Sequence, residues 1–506
     1  MERQDVKIKG KNMFEKFEIH GRWFLPNQEV EEGISGTLYY SPERITLNLD
    51  GIFEDEEDTN SPSFRSFDGA MPEKIYGFSR KGERLTLFGC HQTNVQRNHP
   101  GYGVSTFNID SFISGRQYIQ NEEEGVFNEV AFSTNHLNQW FETNPYDVEY
   151  TQEEGGSDYI ERLTIDTPTL KKNLMEYPVS SKNMVIKESF TKNSHHDLKQ
   201  KNTLHYSFEY FFRSIFESTK KQSLKSIQTT ISSFRNLLTF LVGKPLHFSV
   251  VTLYMEDIKP AGDDGKRIPD KYHWFFRQIG ETKTQKKPQF IFSYRELKDN
   301  FGNILNMWFE KEEDMKLITD AHVGQLYLPT YLENQFLESI RNLESYHRIF
   351  YEDKKSLQKE KKEGKQDESL NHYKEQIKRF IEKHIENEQD RLYFEERIDY
   401  TSETDLRSRI KYLIEHLPES LQEKIILGRE DKDVFLTEVI HTRNYWTHGD
   451  KTKRYKKRIT DASKLFYTNE KLRILLEFYL FKEIGVPGKE IEEKLLDHYA
   501  YILDRY

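Results

Sequence analysis

Over its first third the chain alternates apolar and polar residues with a period of two. In GISGTLYYSPERITLNLDG, Ile34, Leu38 and Tyr40 fall on one side, and Ile45, Leu47 and Leu49 resume the pattern after SPER. Pro42 fixes φ at the second position of that turn, so the stretch predicts a hairpin. KIYGFSRKGERLTLFGC repeats the arrangement, with RKGE at the bend and Leu85 and Leu87 alternating after it. GVFNEVAF, YDVEYTQ, YIERLTI and MVIKESF add further strand-like pieces. Many short strands joined by turns predict a β-rich domain, sandwich or barrel-like, over residues 12–195. The acidic run EDEED at 54–58 reads as a solvated loop.

From about residue 200 the period changes. YSFEYFFRSIF and LKSIQTTISSFRNLLTFLV carry apolar residues at helical spacing. LHFSVVTLYM and PQFIFSYREL read as a β-rich interruption, after which FGNILNMWFE and YLENQFLESIRNLESYHRIFY are helical again. Residues 200–350 are therefore expected to form a mainly helical middle region. DKKSLQKEKKEGKQDES, at 353–369, has almost no apolar residue and reads as a charged linker or loop. The remainder, 371–506, reads as an all-α helical bundle. Its helices are HYKEQIKRFIEKHIENEQDRLYFEERI, TDLRSRIKYLIEHL, PESLQEKIIL with Pro418 at an early helix position, DVFLTEVIHTRNYWTH with Gly449 as its stop, ASKLFYTNEKLRILLEFYLFKEIG closing at Gly485, and GKEIEEKLLDHYAYILDRY. The predicted class is α+β multidomain.

Composition narrows the function. The length of 506 residues suggests about three domains. Aromatic residues make up 14% of the chain, enough for large cores. A net charge of −10 argues against a protein coated in nucleic acid, so any RNA or DNA contact must use a local basic patch. Cys90 is the one cysteine, which excludes an internal disulfide and a Cys-rich zinc site. The N-terminus lacks an apolar signal core, and runs such as LLTFLV (237–242) are far below a membrane span. A soluble cytoplasmic protein is expected.

One stretch concentrates chemistry: HTRNYWTHGD, residues 441–450. At about 100° per residue, Phe435, Val439, Thr442 and Trp446 form one stripe, flanked by Leu436 and Ile440, which predicts the core face. Glu438, His441, Asn444 or Tyr445, and His448 follow a second stripe. Asn444 and His448 are stacked neighbours at i and i+4. Arg443 lies about 140° around from His448, within reach of the helix end along its long arm. RNA is cut when a 2′-hydroxyl attacks the adjacent phosphorus in line. That needs a base, for which histidine is suited, and a cation on the phosphoryl oxygens, for which the arginine fork is suited. Asparagine can hold either without titrating. A zinc site from His441 and His448 is a poor fit, because seven helical residues separate them by about 10 Å. The plain alternative is a polar helix surface whose His and Arg only cap and pair.

TRNYWTHGD (442–450) resembles the signature of the HEPN superfamily: an Arg, four to six residues, then His, often with a polar residue after the Arg. The Thr-Arg-Asn-aromatic-aromatic-Thr-His version is similar to the HEPN domain of the ApeA anti-phage family. HGRWFLP (20–26) and GISGTLYYS (33–41) are similar to that family's N-terminal domain. The resemblance covers both ends of the chain and matches the middle weakly. It implies a metal-independent endoribonuclease without cofactor, in which two HEPN domains pair as a homodimer around one composite cleft. His448 would act as the base or orient the 2′-hydroxyl, Arg443 would bind the scissile phosphate, and Asn444 would position them. His441 and Glu438, which the motif does not name, lie on the same stripe and with Tyr445 are expected to be auxiliary. Products would carry 2′,3′-cyclic phosphate and 5′-hydroxyl ends. The activity would serve abortive defence against phage, with a phage component as trigger and host RNA, tRNA among the candidates, as substrate.

KTKRYKKR (451–458) follows the motif directly, with six of its eight residues Lys or Arg. Lys451, Lys453, Arg454, Lys456, Lys457 and Arg458 are expected to hold RNA phosphates, and Tyr455 to stack on an unpaired base. A solvated loop is the competing reading. NHPGYGVS (98–105) lacks the lysine and helix of a phosphate loop, and SHHDLK (194–199) reads as surface. Two other functions stay open at this point: a non-catalytic HEPN module that binds RNA or dimerises while sensing phage, and a sensor acting with a separate toxin.

Overall fold

A computed structural model of the chain describes residues 7–53, 72–98, 102–142, 147–152, 160–166, 174–197, 203–217, 219–256, 269–279, 289–352, 367–400, 405–426, 432–449 and 455–503. EDEED at 54–58 and most of the charged stretch 353–369 lie outside the described residues. The chain divides into two units, Met1–Phe309 and Glu310–Tyr506. The span 200–350, expected to be a middle region, is parted between them.

In the first unit the strands are β1 (Phe17–Phe24), β2 (Ile34–Tyr40), β3 (Ile45–Leu49), β4 (Lys74–Ser79), β5 (Arg84–Phe88), β6 (His91–Asn98), β7 (Tyr102–Ile109), β8 (Ser111–Gly115), β9 (Glu129–Thr134), β10 (Asp147–Gln152), β11 (Ile160–Asp166), β12 (Glu176–Val179), β13 (Met184–Asp197), β14 (Thr203–Phe216), β15 (Phe248–Met255) and β16 (Asp270–Phe276). Fourteen of them make one sheet in the order β12-β13-β14-β9-β15-β16-β8-β5-β4-β1-β2-β3-β7-β6, and β10 pairs with β11 apart from it. Both hairpins expected from alternation are present. Tyr40 pairs with Ile45 across the SPER turn, where Ser41 N–H donates to Arg44 O at 2.9 Å. Gly82 supplies the positive φ, 79°, at the RKGE bend between β4 and β5.

The sheet curls on itself. Flat, β2 and β8 would lie about 19 Å apart, four strand spacings. Yet the Tyr40 ring of β2 lies 5.9 Å from that of Phe112 in β8 and 5.2 Å from that of Phe275 in β16. Strand twist accumulates over so many strands until the buried faces meet, giving the barrel-like wall expected from sequence. α1 (Leu137–Phe141) and α2 (Leu224–Val242) belong to the same unit. Phe234 of α2 packs against Phe132 at 5.3 Å and Phe212 at 4.9 Å. Ser223 caps α2 by accepting from Ser226 N–H.

Two readings of the middle are corrected. YSFEYFFRSIF is not helical; it lies in β14 and pairs with β13 along its length. Apolar side chains fall on both its faces, so helical and strand periods fit the stretch equally, and its aromatic content and two-sided pairing settle on strand. PQFIFSYREL forms no strand: Ile291 and Phe292 N–H donate to Val242 and Leu241 carbonyls at the end of α2, and α3 (Tyr294–Leu297) follows. α4 (Phe301–Glu310) ends the unit.

The second unit is helical: α5 (Glu312–Tyr327), α6 (Leu332–His347), α7 (Asp367–His384), α8 (Glu388–Tyr400), α9 (Leu406–Glu415), α10 (Glu419–Ile426), α11 (Lys432–His448), α12 (Ala462–Glu483), α13 (Gly488–His498) and α14 (Ala500–Leu503). The stretch expected as one helix from His372 is broken between α7 and α8, where the Asn387 side chain accepts from Gln389 N–H. Among the described residues no helix is long and apolar enough to cross a membrane.

α12 is the centre of this unit. Its buried residues run from Leu465 to Phe481 and fall on every side. Such a helix carries its charges inward, and each must be partnered. The Glu477 carboxylate accepts from Tyr499 OH at 3.2 Å and faces His322 Nε2 at 3.2 Å and Arg473 Nε at 3.6 Å. Arg473 also meets Glu470 at 3.0 Å. Burial pushes the Glu477 carboxyl up, but His322 and Arg473 outweigh it and hold it below the usual carboxylate range. Burial dominates at Glu470, whose carboxyl is raised.

Removing one partner from such a network leaves the others buried and unpaired. Glu477→Gln is expected to destabilise the protein by about 3 kcal/mol or more at neutral pH in urea melts. A depressed carboxyl contributes fully above its unfolded value, about 4.3, and loses that contribution as pH falls through the folded value. The gap between wild type and Glu477→Gln should therefore narrow in acid. A gap that is constant from neutral to acid pH would refute the pairing.

Candidate active site

The helix α11 is positioned through its buried stripe. Phe435, Leu436, Val439 and Thr442 are buried, and α11 packs on α6 and α9. Near its start, Arg407 of α9 donates to the Asp433 carboxylate and to Thr437 Oγ1, both at 2.9 Å. The stripe ends at Thr442. Trp446, expected on the core face, is 43% exposed, because the last turn of α11 has no buried residue. Gly449 then takes a φ of 61° and stops the helix, as its place in the sequence predicts.

The chain returns to the same helix through residues 455–464. Thr442 makes the joint: its hydroxyl donates to Glu438 O at 2.7 Å and accepts from the buried Ile459 N–H at 2.8 Å. Around it, the Tyr455 ring meets His441 edge-on at 5.8 Å, Arg458 lies 4.5 Å over the Tyr445 ring, and Lys464 Nζ is 2.8 Å from the Glu438 carboxylate. Asp461 caps α12 by accepting from Lys464 N–H at 2.7 Å, which fixes the lysine's turn.

Arg443, Asn444 and His448 share the free end of α11. The Arg443 guanidinium is half-buried and donates from Nη1 to Asn444 Oδ1 at 3.1 Å. His448 is exposed and is the last helical residue. The arrangement offers a held guanidinium and an accessible imidazole within about 8 Å along one helix axis. A fork of donors can bind a phosphate there, and an imidazole can accept or deliver a proton.

The other sequence-selected residues have more varied places. Glu438 is committed to Lys464, and Tyr445 to Arg458. His441 Nδ1 is buried without a hydrogen-bond partner among the described residues. Lys456 and Lys457 are exposed, while Arg458 is half-buried. Lys451, Lys453 and Arg454 lie outside the described residues. Tyr455, expected to stack on a base, is instead buried against His441, because the chain turns back onto α11 at that point. Its spacing alone puts Thr442 on the core face; a hydroxyl among apolar positions is the sign in the sequence that it has a partner to meet. Among the described residues no three His, Cys, Asp or Glu are gathered to hold a metal ion.

If Thr442 fastens the basic segment to the helix, Thr442→Val should cost about 1–3 kcal/mol, since Ile459 N–H would stay buried without an acceptor. Thr442→Ser, which keeps the hydroxyl, should lose less. Equal losses in denaturant melts would show that only packing matters here.

Comparison with known families agrees with this division of the chain. Residues 18–308 match the ApeA N-terminal domain 1, and residues 337–490 match the Apea-like HEPN domain. No curated protein and no solved structure matches the chain. With more than half its length in the first match and its helical unit carrying the second, the chain belongs to the ApeA family.

Proposed function

We propose that this protein is an anti-phage effector whose HEPN domain is an endoribonuclease. Membership of the ApeA family supports a HEPN-based anti-phage effector. The observation that carries the nuclease reading is the pairing of Arg443 with Asn444 beside the exposed His448, at a helix end from which a basic segment departs. His448 takes the proton from an RNA 2′-hydroxyl. The 2′-oxygen bonds to phosphorus and the bond to the 5′-oxygen breaks, with that oxygen taking a proton as it leaves. Arg443, oriented by Asn444, binds the non-bridging oxygens as their charge grows. The products are a 2′,3′-cyclic phosphate and a 5′-hydroxyl. Side chains supply the base and the cation, so the scheme calls on no metal or cofactor.

In this reading two copies of α11 line one cleft, so the active species is a homodimer in the cytoplasm. Lys456 and Lys457 hold phosphates of the bound strand, and tRNA loops are the suggested substrate. The β-rich unit restrains the nuclease until a phage component reaches it.

The test is cleavage of total cellular RNA by purified protein in EDTA, with fragment ends mapped. Wild type should leave cyclic phosphate and 5′-hydroxyl ends. His448→Ala should lose about 10²–10⁴-fold in rate. Cleavage by His448→Ala at the wild-type rate would remove the histidine from the mechanism. If neither cuts, the assay is repeated in extract from infected cells, and silence there too would favour a binding module. Separately, Lys456→Ala with Lys457→Ala should flatten the salt dependence of RNA binding by about 0.7 in log–log slope per lost phosphate contact. An unchanged slope would take the lysines out of the interface.

A further inference from the structure

One aromatic residue whose spacing places it in the core is instead open to solvent. Trp446 continues the stripe of Phe435, Val439 and Thr442, yet 43% of it is open to solvent. Tryptophan is usually among the well-covered side chains, and nothing polar in its own chemistry favours a surface place beyond the indole N–H. The aromatic residues around it are otherwise engaged. Tyr455 is buried against His441, and Tyr445 lies under Arg458. Trp446 touches Tyr445 edge-on, at 5.3 Å and 74°. It is three residues after Arg443, hence its neighbour along one helix face, and two before His448 at the helix end.

We propose that Trp446 is the stacking platform for an unpaired RNA base next to the scissile phosphate, and so a substrate-positioning residue of this site. The proposal rests on the nuclease reading for the identity of the polymer. A strand whose phosphate sits on Arg443 carries a neighbouring base within reach of the indole. The charges choose between RNA and a second copy of the chain as the occupant. Arg443 lies one turn before Trp446, and the exposed Lys456 and Lys457 follow Tyr455, which is packed on the same helix; two copies of this surface in direct contact would set like charges together unless a polyanion lay between them. Single-stranded RNA brings both the negative charge and a π-face for the indole, and stacking on an aromatic tolerates any base.

The test uses the full-length protein and uncleavable 2′-O-methyl oligonucleotides of about ten nucleotides. One is oligoadenylate; the other has the same backbone with abasic sugars. Wild type should prefer the base-bearing strand. Trp446→Ala should raise the Kd for oligoadenylate by roughly 10-fold or more while leaving the abasic Kd within about 2-fold and the salt slope unchanged. Trp446→Phe should recover most of the loss. Circular dichroism and light scattering on each variant report fold and subunit mass. The proposal is overturned if wild type binds neither strand, if it binds both alike, or if Trp446→Ala keeps the base preference. A variant that keeps this preference but changes subunit mass assigns the indole to contact between copies. Cleavage of all-ribose RNA is followed in parallel. Cutting without base preference would leave the nuclease standing and remove Trp446, whereas base preference without cutting would do the reverse.

Discussion

A helix whose buried residues, from Leu465 to Phe481, fall on every side must bring its charges into the interior with it, and in the C-terminal unit that constraint sets the arrangement of the rest. Glu470 and Glu477 are buried, and Arg473 is largely covered beside them. They meet one another, His322 from α5 and Tyr499 from beyond α13. The same helix is tied to α6 by the Ser339 hydroxyl donating to Asn469 Oδ1 at 2.7 Å, and to α9 by Tyr479 OH donating to Leu413 O. α6 in turn is joined to α9 through the buried Arg409, which donates to Glu344 at 2.7 Å. α11, the helix with the candidate chemistry, lies on α6 and α9. Its position is inherited from contacts made several residues away from any reacting group.

Stability and chemistry are separated along α11. Its first three turns supply the buried stripe, and its last turn supplies the accessible groups. Thr442 sits at the changeover. One hydroxyl there bonds to the helix backbone on one side and captures the returning chain at Ile459 on the other. In the N-terminal unit the corresponding device is the curl of the fourteen-stranded sheet, which brings the aromatic side chains of Phe17, Tyr40, Phe112 and Phe275 together.

What the sequence by itself determined is what depends on near neighbours in the chain. The β-hairpins at SPER and RKGE, the stops at Gly449 and Gly485, and the clustering of Arg443, Asn444 and His448 on one helix follow from turn chemistry and helical period. The resemblance that named the family rested on that same local motif and on short N-terminal stretches. Tertiary structure decided whatever depends on what lies across a face. β14 became a strand because β13 and β9 pair with it; its own pattern served either period. Tyr455 and Trp446 exchanged places, the tyrosine of the basic run going under cover and the tryptophan of the core stripe coming into the open. Periodicity gives the direction in which a side chain points, but only the fold determines whether another segment is there to meet it.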